Sequence, residues 1–395
     1  MVDQKRWLLP DGVDEVLPPR ARTLEDLRRK LLDIFDRWGY ELVMPPIVEY
    51  LDSLLSGIGE DLDLQTFKLI DQLSGRMMGV RADITPQIAR IDAHRMVSEA
   101  PQRFCYVGPV VHTLPDKFAG SRNPLQIGAE LYGHTGIESD AEVITLLIEV
   151  LRAANVPEVT IELGHMGLFH AIFEQAQFDD AFESKVLELL LKKDATGLRE
   201  LLATTELPED INEHLLALTD LNGGHEVLEQ ARAALARAPA SVGQALDDIE
   251  NLVRLIRDHV ADVDVHLDFA ELRGYRYHTG IMFAAYTPDV GRAIAWGGRY
   301  DNIGKSFGRL RSATGFSTDL KVLVLVSADK SVRLPRIFAP AGNEPDLLRA
   351  MAEYRSAGYT VIQGLPGQFG GASELGCDQE MTNASGTWQL DNVDG

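Results

Sequence analysis

Residues 103–133, RFCYVGPVVHTLPDKFAGSRNPLQIGAELYG, constrain this chain more than any other segment. They read as two strands joined by a long loop rich in turn formers. The outline is that of a nucleotide-binding hairpin. Yet the positions where an ATP-binding version would need cations hold His112 and Thr113. A frame kept without phosphate-binding charge points to a fold reused for other chemistry.

The neighbouring segments set the fold class. Residues 23–39 read as a helix, with Thr23 as cap, Leu24, Leu27, Leu31, Ile34, Phe35 and Trp38 on one apolar face, and Gly39 as stop. Residues 40–44 read as a strand ended by Pro45 and Pro46. Residues 66–70 and 77–81 form an expected hairpin. Helices are expected over 85–95 and 139–154, with a strand over 158–163. From about residue 166 to 259 the chain is rich in Leu, Ala and Glu at helical spacing, which predicts a helical insertion. Strand character returns at 263–269, 281–286 and 292–296, and a helix closes the core at 319–326. A small β-α-β unit follows at 336–339, 344–357 and 359–362, with a polar tail expected to be partly disordered. Hairpins among helices, without regular β-α-β alternation, predict an α+β core built on an antiparallel sheet. The expected division is a core of residues 1–165 and 261–328, an insertion at 166–260 and a C-terminal α/β unit at 329–395.

Composition narrows the function. With 395 residues, the chain exceeds one ordinary domain. No apolar run reaches the roughly 18 to 20 residues that span a bilayer, and the first residues lack a signal-peptide core. Two cysteines far apart fit a reducing cytoplasm and no disulfide frame. Sixty Asp and Glu against 38 Lys and Arg leave a formal charge of −22, which repels nucleic acid at long range. Neither GxGxxG nor GxxxxGK[ST] occurs, so no Rossmann or P-loop site is indicated.

Four segments can carry chemistry. Arg81, Asp83 and Thr85 stand where a strand gives way to a helix; the carboxylate and hydroxyl can hold an ammonium or simply cap the helix. Gln126, Gly128 and Glu130 share one face of a strand and, if buried, need polar partners. Residues 272–280, LRGYRYHTG, offer Arg273, Tyr275, Arg276, Tyr277 and His278 between glycines: a ligand loop or a surface turn. Gly297-Gly298-Arg299-Tyr300-Asp301 ends a strand, as a tight turn or as bare backbone for a ligand. His165 and His170 lack the further ligands of a metal site and read as ordinary helix residues.

Together these segments resemble histidyl-tRNA synthetase, a class II synthetase. The family's G-x-x-D-x-L-P is similar to residues 12–18; its R-x-[DE]-x-T to Arg81, Asp83 and Thr85; its Q-[IL]-G-x-E to Gln126, Gly128 and Glu130. Its R-G-L-D-Y-Y resembles residues 273–278, and its G-G-R-Y-D stands at 297–301. The match runs over about residues 8–326. The departures fall on the ATP-binding motifs. Motif 2, roughly G-P-x-F-R-x-E, has His112 at its arginine position and Leu114 at its glutamate position. Motif 3, G-F-x-x-G-x-E-R, has Asp319, Lys321 and Val322 for its last glycine, glutamate and arginine. Loss of two phosphate contacts costs a few kcal/mol each, so adenylate formation is expected to fail. About 65 residues after the core are also too few for a usual anticodon-binding domain.

This pattern resembles the regulatory-subunit family of ATP phosphoribosyltransferase. The resemblance implies a class II synthetase-like α+β fold and no catalysis of its own. It also implies no cofactor and a cytoplasmic partner, the short-form catalytic subunit, in a hetero-octamer containing self-dimers. Histidine is the implied effector. Carried over residue by residue, Asp83 and Thr85 would hold its ammonium, Gln126 and Glu130 its ammonium or imidazole, and Arg273 its carboxylate. Tyr277 and His278 would line the ring. The other reading kept open is a divergent enzyme that still activates histidine.

Overall fold

A computed structural model describes residues 7–56, 60–115, 121–272, 274, 278–288, 290–328, 334–384 and 386–393. The chain divides into two units, Met1–Ala328 and Asp329–Gly395. In chain order the first carries β1 (Glu41–Leu42), β2 (Val48–Tyr50), β3 (Phe67–Ile70), β4 (Met77–Val80), β5 (Gln102–Pro109) and β6 (Leu125–Tyr132). Then come β7 (Thr160–His165), β8 (Asn222–Gly223), β9 (Asp264–Asp268), β10 (Ile281–Thr287), β11 (Val290–Arg299) and β12 (Ala313–Asp319).

A nine-stranded sheet in the order β1-β5-β6-β12-β11-β10-β7-β9-β8 forms the frame. Neighbours are antiparallel except β1 with β5 and β7 with β9. Alternation along each strand separates its two faces. Cys105, Ile127, Ala129, Leu131, Ala295 and Phe316 turn to one side. There they pack with the helices Arg20–Arg37, Ile137–Ala153 and Ala240–His259 in the main core. Phe104, Tyr106 and Tyr132 turn to the other, beneath Ile88 and Ala89 of the helix Thr85–His94.

The first helix starts at Arg20, behind Pro19, and carries no side-chain cap, so Thr23 lies inside it rather than capping it. His165 is not a helix residue either. It ends β7, and its Nδ1 accepts from the Gly167 amide at 3.0 Å, capping the helix Met166–Ala176.

Residues 166–259 form the helices Met166–Ala176, Asp180–Leu191, Ala195–Leu202, Glu209–Leu218, Val227–Ala234 and Ala240–His259, with β8 pairing back onto β9. The excursion begins and ends on adjacent strands, since β7 and β9 lie side by side and parallel.

A second sheet, β2-β4-β3, stands apart. Val48, Tyr50, Phe67, Leu69, Met78 and Val80 share one of its faces by register, and none is buried. The Arg76 guanidinium lies 3.6 Å from the Tyr50 ring centre, and that of Arg122 5.3 Å from Phe67.

The second unit carries β13 (Arg336–Ala339), β14 (Thr360–Gln363), β15 (Gln379–Ala384) and β16 (Thr387–Asn392) in the order β14-β13-β15-β16. Leu347 and Met351 of the helix Pro345–Ser356 pack on Ile337, Ala339, Val361 and Met381. The described part of the tail is therefore not disordered: it is the β15–β16 hairpin, its turn held by the Gly386 amide donating to Asn383 Oδ1.

Candidate functional site

The centre of the sheet's second face is a buried carboxyl. Glu130, on β6, is 1% exposed. Thr85 Oγ1 donates to its Oε1 at 3.0 Å and the Tyr106 hydroxyl donates at 3.1 Å; the Tyr300 hydroxyl donates to Oε2. Burial pushes the Glu130 carboxyl up to about 8. The bonds from Tyr300, Thr85 and Tyr106 oppose that rise, while the charge of Asp83 adds to it.

Asp83 and Gln126 complete the cluster. The Gln126 amide donates to Asp83 Oδ1 at 2.8 Å and accepts from the Ile84 amide at 3.0 Å, latching the turn before the helix to β6. Asp83 Oδ1 also accepts from the Thr85 amide at 3.0 Å, so it ties down the helix start as well as facing the site. Asp83, Thr85, Gln126 and Glu130 thus form one hydrogen-bonded group.

Across the sheet, Glu130 registers with Gly315 on β12 and Gly315 with Gly298 on β11. A Cβ on Gly315 would fall 1.6 Å from Glu130 Oε2, so the carboxyl leans over that strand. A Cβ on Gly298 would fall 2.7 Å from His278 Cδ2, so the His278 ring lies over the next one. Glu130 and His278 therefore occupy one cross-strand row with bare backbone beneath it. Arg273 and Tyr277, like Tyr275 and Arg276, lie outside the described residues.

Other motif residues are committed to the frame. Arg81 is 4% exposed and donates to the carbonyls of Pro109 at 2.9 Å and Pro45 at 2.8 Å. Arg299 donates to Asp140 Oδ2 through two nitrogens, to Ser139 Oγ, and to the carbonyls of His134 and Gly136. That pins the start of the helix Ile137–Ala153.

The departed ATP positions are committed too. The His112 ring bonds the Ala82 carbonyl at 2.9 Å, and Thr113 Oγ1 donates to the Leu64 carbonyl. Asp319 caps the helix Leu320–Val326, accepting from the amides of Lys321 and Leu125. Lys321 Nζ pairs with Asp14 at 3.0 Å, and Val322 packs against the main core.

Tyr106 and Tyr300 were not among the expected site residues. The signal for Tyr106 was its place two residues from Phe104 on the inward face of β5, opposite Gly128. Tyr300 was hidden inside a glycine turn. Two open hollows, of about 550 and 440 Å3, flank Gly39 and include none of the Glu130 cluster. Among the described residues no group of His, Cys, Asp and Glu could hold a metal ion, and no helix is long and apolar enough to cross a membrane.

Comparison with known proteins places the chain among similar folds and families. The family model for histidyl-tRNA synthetase matches residues 12–323, and that for the ATP phosphoribosyltransferase subunit HisZ C-terminal domain matches 334–391. An ATP phosphoribosyltransferase regulatory subunit from Thioalkalivibrio sulfidiphilus is 52% identical over 98% of both chains. One from Alkalilimnicola ehrlichii is 52% identical over 96% of both. A crystal structure described as an ATP phosphoribosyltransferase regulatory subunit/histidyl-tRNA synthetase from Bacillus halodurans superposes with a TM-score of 0.82. It is 26% identical, covering 94% of this chain and 96% of that one.

Proposed function

This chain belongs to the ATP phosphoribosyltransferase regulatory-subunit family, and from that premise we propose that it is the non-catalytic regulatory subunit of that enzyme in the cytoplasm. It activates the short-form catalytic subunit and carries histidine feedback inhibition of the first step of histidine biosynthesis. The partner joins ATP to phosphoribosyl pyrophosphate, giving phosphoribosyl-ATP and pyrophosphate. Histidine sits in the Glu130 cluster, with its ammonium at Asp83 and Thr85 and its ring toward Glu130 and His278. Gln126 orients Asp83, and Arg273 and Tyr277 take the carboxylate and ring roles that the family motif gives them.

One contrast carries the reading. Asp83, Thr85, Gln126 and Glu130 form a hydrogen-bonded polar cluster, while His112 bonds backbone and Val322 packs against the core where phosphate-gripping arginines would stand. Self-dimers within a hetero-octamer are supported by the face of the β2-β4-β3 sheet that no described residue buries, and by the exposed Leu42, Met44 and Ile47. These three are 43%, 74% and 42% exposed.

Inhibition by linkage requires histidine to favour the low-activity assembly by about 1–3 kcal/mol. The test is phosphoribosyl-ATP formation by a short-form catalytic subunit, with and without this chain, across a histidine titration. Stimulation reversed by histidine supports the reading, and Glu130→Ala then weakens inhibition while activation persists. Absence of stimulation, with histidine-dependent pyrophosphate exchange instead, would favour a divergent histidine-activating enzyme.

A further inference from the structure

Every hydrogen-bond partner of Glu130 among the described residues is a neutral hydroxyl. The facing groups come from each packed element in turn. The helix Thr85–His94 gives Thr85, and the turn before it Asp83. Tyr106 comes from β5, Tyr132 from β6 itself and Tyr300 from beyond β11. On β12 the opposing residue is Gly315, which has no side chain, and the titratable His278 ring lies over Gly298 in the same cross-strand row. Asp92 and Arg311 stand behind Tyr132, paired with each other.

A carboxylate stripped of water among neutral groups is far less favourable than the neutral acid. Among the described residues the charge acting on it, that of Asp83, is negative and works in the same direction. Burial and the Asp83 charge outweigh the three hydroxyl bonds, which favour the anion, and raise the carboxyl to about 8. Asp83 is only partly buried and accepts two N–H bonds.

We propose that Glu130 waits in the empty site as a neutral acid and hands its proton to the neutral ring nitrogen of an imidazole ligand. This rests on the histidine reading above. The O–H bond of Glu130 breaks, a ring N–H bond forms, and a carboxylate–imidazolium pair is left. No proton enters or leaves the protein. Neutral acid and neutral base come together without dragging a bare charge indoors. An ammonium at the same point would have to be desolvated and would expel the acid's proton. The ligand's ammonium goes instead to the more exposed Asp83. A side chain of the same shape without a basic nitrogen would leave Glu130 nothing to protonate, so the site selects imidazole by basicity as well as by shape.

The complex holds one shared proton, which fixes the pH dependence. Above about pH 8 the empty site has lost that proton and binding must recapture it, so affinity falls about tenfold per pH unit. Below about pH 6.5 the free ring is already protonated and binding must expel a proton, so affinity falls again.

The experiment is calorimetric titration of the full chain with histidine from pH 6 to 9, for the wild type, Glu130→Gln and Asp83→Asn. The infrared spectrum of the empty proteins accompanies it. The wild type should lose about fivefold more affinity than Glu130→Gln between pH 8 and 9. In Asp83→Asn the fall should begin at lower pH, because a charge that holds the Glu130 proton is gone. Matching profiles for wild type and Glu130→Gln would overturn the proposal. Should no protein bind histidine, the histidine reading falls, and the infrared spectrum still decides this one. A protonated-carboxyl band at pH 7 that Glu130→Gln lacks supports the neutral acid, and its absence overturns it.

Discussion

Replacing Arg299 by methionine should destabilise the first unit by about 3–5 kcal/mol, the usual cost of breaking a buried ion pair from one side. The geometry sets that size. The Arg299 side chain is 9% exposed and that of Asp140 2%. Without the guanidinium, Asp140, Ser139 and the carbonyls of His134 and Gly136 lose a donor together. Burial already raises the Asp140 carboxyl, and the Arg299 charge is the main opposing influence. In Arg299→Met the carboxyl rises further in the folded state only. A folded-state rise means the fold holds the proton more tightly than the unfolded chain does. The variant is therefore least damaged in acid and loses stability as pH climbs. Urea unfolding at pH 5.5 and pH 8 measures both effects, and a cycle with Asp140→Asn isolates the pair. A loss under about 1 kcal/mol, or one equal at both pH values with additive single changes, would refute the buried-pair argument.

Gly315→Ala places a methyl where the Glu130 carboxyl lies, so it should cost about 1–3 kcal/mol by overpacking and weaken histidine binding at least tenfold; unfolding and calorimetry check the two parts. Burial depresses His165 to about 4, so folding is favoured by its neutral form. Stability should fall as pH drops below about 6.5 toward 4, and His165→Asn, which can keep the cap, should flatten that slope in thermal unfolding. Restoring arginine at both His112 and Val322 should yield no histidine-dependent pyrophosphate exchange, because Asp319 still caps its helix and Val322 packs against the core. Clear exchange by that double variant would show the ATP site to be nearly intact.

The hairpin of β5 and β6 was legible almost to its ends, because proline and glycine bound it and apolar side chains alternate within it. The antiparallel sheet followed from such hairpins. The helix start at Arg20 was misread, since Thr23 offered a plausible cap and the helix needed none. The β15–β16 hairpin was missed among polar residues. Met381, Trp388 and Leu390 alternate about a Ser-Gly turn, a signal diluted by the Asp, Asn and Gln around it. At the site, the polar residues of β6 and of the turn before the helix stood out in sequence because they interrupt apolar strands. The tyrosines that meet Glu130 did not, because a strand tyrosine looks like core until its hydroxyl finds a partner.

The parallel pairing of β7 with β9 makes most of residues 166–263 dispensable in principle. Joining two adjacent parallel strands takes a dozen or more residues, commonly one helix. The helix Ala240–His259 already fills that role: Leu246, Ile249, Val253 and Ile256 seal the core beside Ile144 and Leu147. The four helices between Ala176 and Ala240 are an excursion within that crossover, and their Val186, Leu190, Leu198 and Leu215 extend the same core. A chain running from Ala176 straight to Ala240 through a short linker should close the sheet around Glu130 without its edge strand β8. What it lost would be whatever the grafted helices do for the assembly.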